Sequence, residues 1–171
     1  MFLSLKEMER GKVAFQKTYQ PGAISFLDEQ IRQAGALEVE GVAELSQALM
    51  EITVRGRLRV CMEADCDRCL ESVSFPIEAN FALSYLPASW LGAAEEVALE
   101  EAEAKAGFYE GEGLDLADVI REQILLELPM QRLCLEDCRG LCPVCGQNRN
   151  RVACSCEERV PDDRWAKLRD L

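Results

Sequence analysis

Glu51-Ile52-Thr53-Val54-Arg55-Gly56-Arg57-Leu58-Arg59-Val60 carries an apolar residue or glycine at every even position. Val73-Ser74-Phe75-Pro76-Ile77-Glu78-Ala79-Asn80-Phe81-Ala82-Leu83-Ser84-Tyr85 does the same at every odd position. A period of two marks strands with one face buried. The two segments read as antiparallel neighbours joined by residues 61–72. Pro76 falls on the outward set, where a missing N–H predicts a sheet edge or a bulge.

Leu37–Ala43 and Val13–Tyr19 are weaker strand candidates, and Ser25–Ala34 between them reads as a short helix. Four or more strands would satisfy the apolar faces. Asp115–Leu128 predicts a second helix: Asp115 as N-cap, Asp118 in the first turn, and Leu116, Val119, Ile120, Ile124 and Leu128 at helical spacing. Pro129 stops it. Asp162–Leu171 reads as a short amphipathic tail helix with Trp165 and Leu168 on one face. The fold class expected is α+β: an antiparallel sheet, a packing helix and a small C-terminal cysteine-rich metal module. The expected division is an α+β core at 1–130 and the cysteine-rich module with its tail at 131–171.

The chain has 171 residues, long enough to bury a core without disulfides. No stretch approaches the ~20 apolar residues of a membrane span. Lys6, Glu7, Glu9 and Arg10 interrupt the N-terminus, so no signal peptide is read there. The expected location is the cytoplasm. There is no histidine, which removes His-based triads and His-ligated metals. No catalytic residues are assigned, and a non-enzymatic role is expected.

Nine cysteines in a cytosolic chain point to metal rather than disulfides. Six fall close together: Cys134, Cys138, Cys142, Cys145, Cys154 and Cys156. In Cys142-Pro143-Val144-Cys145-Gly146 the Cys-x-x-Cys turn brings two sulfurs to one ion. The proline sets the turn, and the glycine lets backbone amides face the sulfur. Zinc takes four thiolates, so two more ligands are required. Cys154 and Cys156 complete the favoured set, with Cys138 as first substitute and Cys134 beside it. Four thiolates also allow a rubredoxin-type iron site. Four-thiolate ligation without an open position is structural in character. A second pair, Cys66-Asp67-Arg68-Cys69, lies between the long strands. It either joins Cys134 and Cys138 in a second zinc site or forms an unmetallated turn.

The net charge is −12, which argues against a general affinity for nucleic acid. Residues 95–127 hold 11 acidic and two basic residues, a net of −9. Glu95, Glu96, Glu100, Glu101, Glu103, Glu110 and Glu112 form either a solvated stretch or a contact for a basic protein. Positive charge is local. Arg55, Arg57 and Arg59 share the outward face of the first long strand, with Arg68 beyond it and Arg139, Arg149 and Arg151 around the cysteines. Guanidinium groups take phosphate or carboxylate bidentately. Cross-strand pairing with acidic neighbours such as Glu78 is the competing use.

The run from Leu128-Pro129 through Cys134-Leu135-Glu136-Asp137-Cys138-Arg139-Gly140-Leu141-Cys142-Pro143-Val144-Cys145-Gly146 to Cys154-Ser155-Cys156 resembles the YceD family of large ribosomal RNA subunit accumulation proteins. Cys66-Asp67-Arg68-Cys69-Leu70 after a long strand matches that family's other hallmark, and Asp163-Arg164-Trp165-Ala166-Lys167-Leu168 is similar to its ending. The likeness covers most of the chain beyond residue 50. It implies a bacterial, non-catalytic role in large-subunit (23S) rRNA accumulation or processing, and so in ribosome biogenesis. It also implies that zinc stabilises this branch rather than supplying the shared mechanism. The partners expected are large-subunit rRNA or a pre-ribosomal particle, with RNA binding through the arginines, and no membrane. Two alternatives stand beside this: an acidic chaperone for a basic ribosomal protein, and a thiol redox protein using Cys66 and Cys69.

Overall fold

The computed structural model describes residues 1–26, 30–90 and 106–156. The acidic residues at 95–103 and the tail helix predicted at 162–171 lie outside the described residues. The elements are β1 (Phe2–Ser4), α1 (Leu5–Met8), β2 (Val13–Tyr19), β3 (Ile31–Gln33), β4 (Leu37–Ser46), β5 (Glu51–Asp65) and β6 (Ser72–Pro87), then a single 3-10 turn. After it come β7 (Gly107–Tyr109), β8 (Gly113–Asp115) and α2 (Leu116–Glu127). Both long strands exceed their predicted lengths because the alternation continues: Val60, Met62 and Ala64 are buried while Cys61, Glu63 and Asp65 are half-buried.

By compactness the chain forms two units. One is Met1–Ala64 with Ser74–Met130, and the other is Asp65–Val73 with the described part of 131–171. The division at 130/131 read from the sequence placed the tip of the long hairpin with the core; by compactness the tip goes with the cysteine-rich segment.

In the first unit the sheet runs β2-β4-β5-β6-β7, with β3 on the far end of β5. The pairs β2–β4, β4–β5 and β3–β5 are antiparallel, while the short β6–β7 pair is parallel. Only Tyr85–Pro87 of β6 pair with β7. Pro76 lies outside that short pairing, where its missing N–H costs the β6–β7 ladder nothing.

The helix predicted over 25–34 is corrected at its end. Ile31–Gln33 form β3, opposite Ala64, Glu63 and Met62. β5 outruns β4, whose described pairing begins with Glu38 opposite Arg59. The overhanging backbone of β5 needs partners, and that need overrides local helix propensity. The Gln33 side chain fixes the entry by donating to the carbonyls of Tyr19 (2.9 Å) and Gly35 (2.7 Å).

The helix at 115–128 forms as its pattern demands. Asp115 caps it by accepting the Ala117 N–H at 3.0 Å. Leu116, Val119, Ile120 and Ile124 join Leu37, Val39, Ile52, Val54 and Leu58 of the sheet in one buried cluster. A small second sheet, β1 with β8, sets Phe2 opposite Asp115 and brings the N-terminus to the start of α2.

Candidate metal centres

Among its described residues the second unit has almost no apolar core. Its buried cluster is Cys66, Cys69 and Cys138, with Val73, Leu133 and Cys134 packed against them. What this unit has instead is sulfur.

Both Cys-x-x-Cys segments fold into the same turn. The Cys66 N–H donates to the Glu71 carbonyl at 2.8 Å, and the Leu70 N–H returns to the Cys66 carbonyl at 3.0 Å. In the second turn Cys142 donates to Gln147 at 2.8 Å and Gly146 returns to Cys142 at 2.8 Å. The residue after the second cysteine is left-handed in each case, with φ of 60° at Leu70 and 73° at Gly146. Glycine suits that position, whereas leucine there costs about 1–2 kcal/mol. Leu70 is 62% exposed, so its side chain contributes little burial in compensation. Leu70→Gly should therefore leave the protein at least as stable, by up to about 1 kcal/mol, read as a rise in the urea midpoint.

Eight cysteines gather into two groups, Cys66/Cys69/Cys134/Cys138 and Cys142/Cys145/Cys154/Cys156, with the four sulfurs of each within 4.8 Å of one another. In the first group Cys66 Sγ lies 3.9 Å from Cys138 Sγ, and Cys69 Sγ lies 3.5 Å from Cys134 Sγ. A tetrahedral ion with ~2.3 Å bonds to sulfur has edges of ~3.8 Å. The donor set and its dimensions fit a closed four-thiolate site in both places, and each group could hold a metal ion. Cys61, half-buried, belongs to neither group.

Each group is supplied with hydrogen-bond donors aimed at sulfur. Burial acts to raise the Cys66 thiol, but the backbone N–H groups of Arg68, Cys69 and Cys134 outweigh it and bring it down to about 6. The Cys134 N–H lies 3.4 Å from that sulfur. The Cys145 and Val144 N–H groups bring Cys142 down to about 6. The Asn150 amide donates to Cys138 Sγ at 3.2 Å and holds that thiol below its usual range. In the opposite direction, Cys134 is pushed up to about 12 by the Cys69 thiol beside it, and Cys156 to about 12 by Cys145. One sulfur of each group thus sheds its proton readily while another keeps it. A cation among them would let all four ionise.

Asp67 holds the first group together. Its carboxylate accepts the Arg132 N–H at 2.7 Å, and its own N–H donates to the Arg132 carbonyl at 2.8 Å. The backbone of residue 132, two before Cys134, is thereby fixed beside the Cys66 turn.

The favoured set of Cys142, Cys145, Cys154 and Cys156 is therefore brought together, and Cys134 and Cys138 face Cys66 and Cys69. The arginines are largely engaged. Arg57 pairs with Glu40 at 2.6 Å and Arg59 with Glu78 at 2.6 Å. Arg68 donates to the Cys138 carbonyl at 2.9 Å, and Arg151 pairs with Glu71. Arg55, Arg139 and Arg149 have no side-chain partner among the described residues. Asp67 and Asn150 are not legible as site residues in the sequence, since only tertiary structure brings each to its target.

A family model described as "Large ribosomal RNA subunit accumulation protein YceD" matches residues 54–171, a span that contains both cysteine groups. The chain belongs to the YceD family. Its relatives include an uncharacterized protein of Mycobacterium tuberculosis, 29% identical over 163 residues that cover 89% of this chain and 76% of the relative. The uncharacterized protein YlbN of Bacillus subtilis is 23% identical over 170 residues, covering 98% and 92%. A maize protein named "Large ribosomal RNA subunit accumulation protein YCED homolog 1, chloroplastic" is 26% identical over 184 residues, covering 81% and 60%. No solved structure matches. The YceD description names an accumulation factor. Among the described residues, no helix is long and apolar enough to cross a membrane.

Proposed function

We propose that this chain is a non-catalytic cytoplasmic factor that promotes accumulation of large-subunit (23S) rRNA by binding the rRNA or its assembly intermediates, and that zinc fills both four-cysteine groups. The observation that carries the first part is the family match, which spans both cysteine turns. The zinc reading rests on all-thiolate donor sets of tetrahedral size with no histidine, carboxylate or open position. Cys66 and Cys69 serve as ligands in this reading. Each lies within 4 Å of a further cysteine sulfur, a closed arrangement that leaves no exposed thiolate for redox turnover.

The charges support a second reading, in which a protein rather than bare RNA is the immediate contact. Arg57 and Arg59 already meet carboxylates. The described part of the second unit has five arginines against five carboxylates, and each zinc on four thiolates would carry a formal charge of about −2. The second reading is therefore a chaperone for a basic ribosomal protein within the same assembly process.

The test is a crosslinked pull-down of the tagged protein from growing cells, with and without RNase. Large-subunit rRNA or its precursor surviving stringent washing is the expected result. A basic ribosomal protein retained after RNase selects the chaperone reading. Neither above background would overturn both, while zinc content measured on the same preparation tests the metal reading separately.

A further inference from the structure

The second cysteine turn sits at the tip of a miniature hairpin. The Cys142 N–H donates to Gln147, Leu141 bridges to Asn148, and the Arg149 N–H donates to Gly140 at 2.9 Å. This register sets Asn150 opposite Arg139, at the base of the hairpin. There its carbonyl oxygen accepts the Arg139 N–H at 2.8 Å, while its amide nitrogen donates to Cys138 Sγ at 3.2 Å. Its own N–H is held by the Asn148 side chain at 2.9 Å. Asn150 thus belongs to the loop between two sulfurs of one group, Cys145 and Cys154, and directs its side-chain amide nitrogen at a sulfur of the other. The contact is directional. The backbone N–H fixes which side of the amide is oxygen, and only NH₂ is left to face sulfur. A further seam runs alongside: Leu141 donates to the Arg68 carbonyl at 3.0 Å, inside the first cysteine turn.

We propose that the two four-cysteine groups bind metal as a coupled pair, with Asn150 the positioning residue through which the ordered 142–156 loop organises Cys138 of the other group. This rests on the reading that both groups hold metal. A thiolate accepting an N–H is better shielded and better oriented for a cation, and losing such a partner typically costs metal affinity about 10–100-fold. An empty 142/145/154/156 group frees the loop that carries Asn150, so Cys138 loses its donor without being touched. Coupling is reciprocal, and a filled first group tightens the second by the same factor. The groups also differ in access. Cys66, Cys69 and Cys138 are buried, whereas Cys145 is exposed, so the 142/145/154/156 group gives up its metal first.

The experiment uses the full reduced chain with zinc or cobalt(II), in competition with a chelator, reading bound metal and the cobalt–thiolate absorption. Wild type should bind two metals and lose them in two phases. Cys142→Ser with Cys145→Ser should bind one, about tenfold more weakly than the slow site of wild type. Asn150→Ala should weaken that slow site about 10–100-fold in wild type but add little in the Cys142/Cys145 variant, because both changes remove the same contact. Asn150→Asp is nearly isosteric and keeps the Arg139 bond. It should weaken the site at least as much, whereas a merely structural Asn150 would leave it unchanged. Absence of metal from wild type defeats the underlying metal reading. Two metals with a silent Asn150→Asp, or with equal losses from Asn150→Ala in both backgrounds, overturns the coupling alone.

Discussion

Replacing Cys66 and Cys69 together by serine should empty one four-cysteine group and unravel the second unit, while the sheet and α2 keep their far-ultraviolet dichroism. Cys69 and Cys134 are 65 residues apart in sequence. Treated as a cross-link, a metal joining them removes roughly 4 kcal/mol of loop entropy from the unfolded chain. Structural zinc sites in small peptides contribute ~10–16 kcal/mol of apparent binding energy, and that energy is folding energy where no preformed core exists. Among the described residues the alternative core is Val73 and Leu133, too little to take the ion's place. Serine keeps the size but not the charge or softness of thiolate. The checks are metal content, which should fall from two per chain to at most one, and limited proteolysis, which should open cuts within 131–156. Metal content unchanged at two would show that these cysteines are not ligands. Unchanged protease resistance would show that the unit does not depend on them.

The two halves of the molecule were not equally legible. Long strands and α2 announce themselves because burial of one face imposes a period on the sequence, and the period survives without knowledge of any partner. Ile31–Gln33 is different. Three residues carry no period, and their strand exists only because β5 overhangs β4. The cysteines were legible as ligands from their chemistry, and Cys142, Cys145, Cys154 and Cys156 as the favoured set, but the use of Cys66 and Cys69 stayed open between a second site with Cys134 and Cys138 and an unmetallated turn. Cys134 and Cys138 neighbour Cys142 in sequence, yet meet Cys66 and Cys69 in space. The Cys-x-x-Cys unit is local, while its completing pair is a tertiary fact. The arginines of β5 show the same limit. Alternation places Arg55, Arg57 and Arg59 on one face, but only the register shows Glu38 and Glu40 opposite Arg59 and Arg57.

Gly41→Ala should destabilise the first unit by about 1–3 kcal/mol, although glycine-to-alanine changes in strands ordinarily stabilise. Gly41 of β4 lies directly opposite Gly56 of β5. A methyl group at Gly41 would sit 2.8 Å from the Gly56 Cα, 2.6 Å from the Phe15 ring and closer still to the Arg55 carbonyl. At Gly56 it would meet the Glu40 carbonyl at 2.5 Å and the Phe81 ring at 2.8 Å. Both glycines fall among the inward positions of their strands, and each leaves the space that a phenylalanine ring fills. The rings can rotate aside, but the carbonyls cannot move without splaying β4 from β5 in the middle of the sheet. The cost is overpacking against backbone, not lost burial. The urea midpoint should fall with little change in slope. Amide exchange should quicken first at Glu40–Val42 and Arg55–Arg57, before the amides of α2. The double change Gly41→Ala with Gly56→Ala should cost less than the sum of the two, because one separation of the strands relieves both clashes. A neutral or stabilising Gly41→Ala would mean that β4 and β5 do not approach this closely in solution.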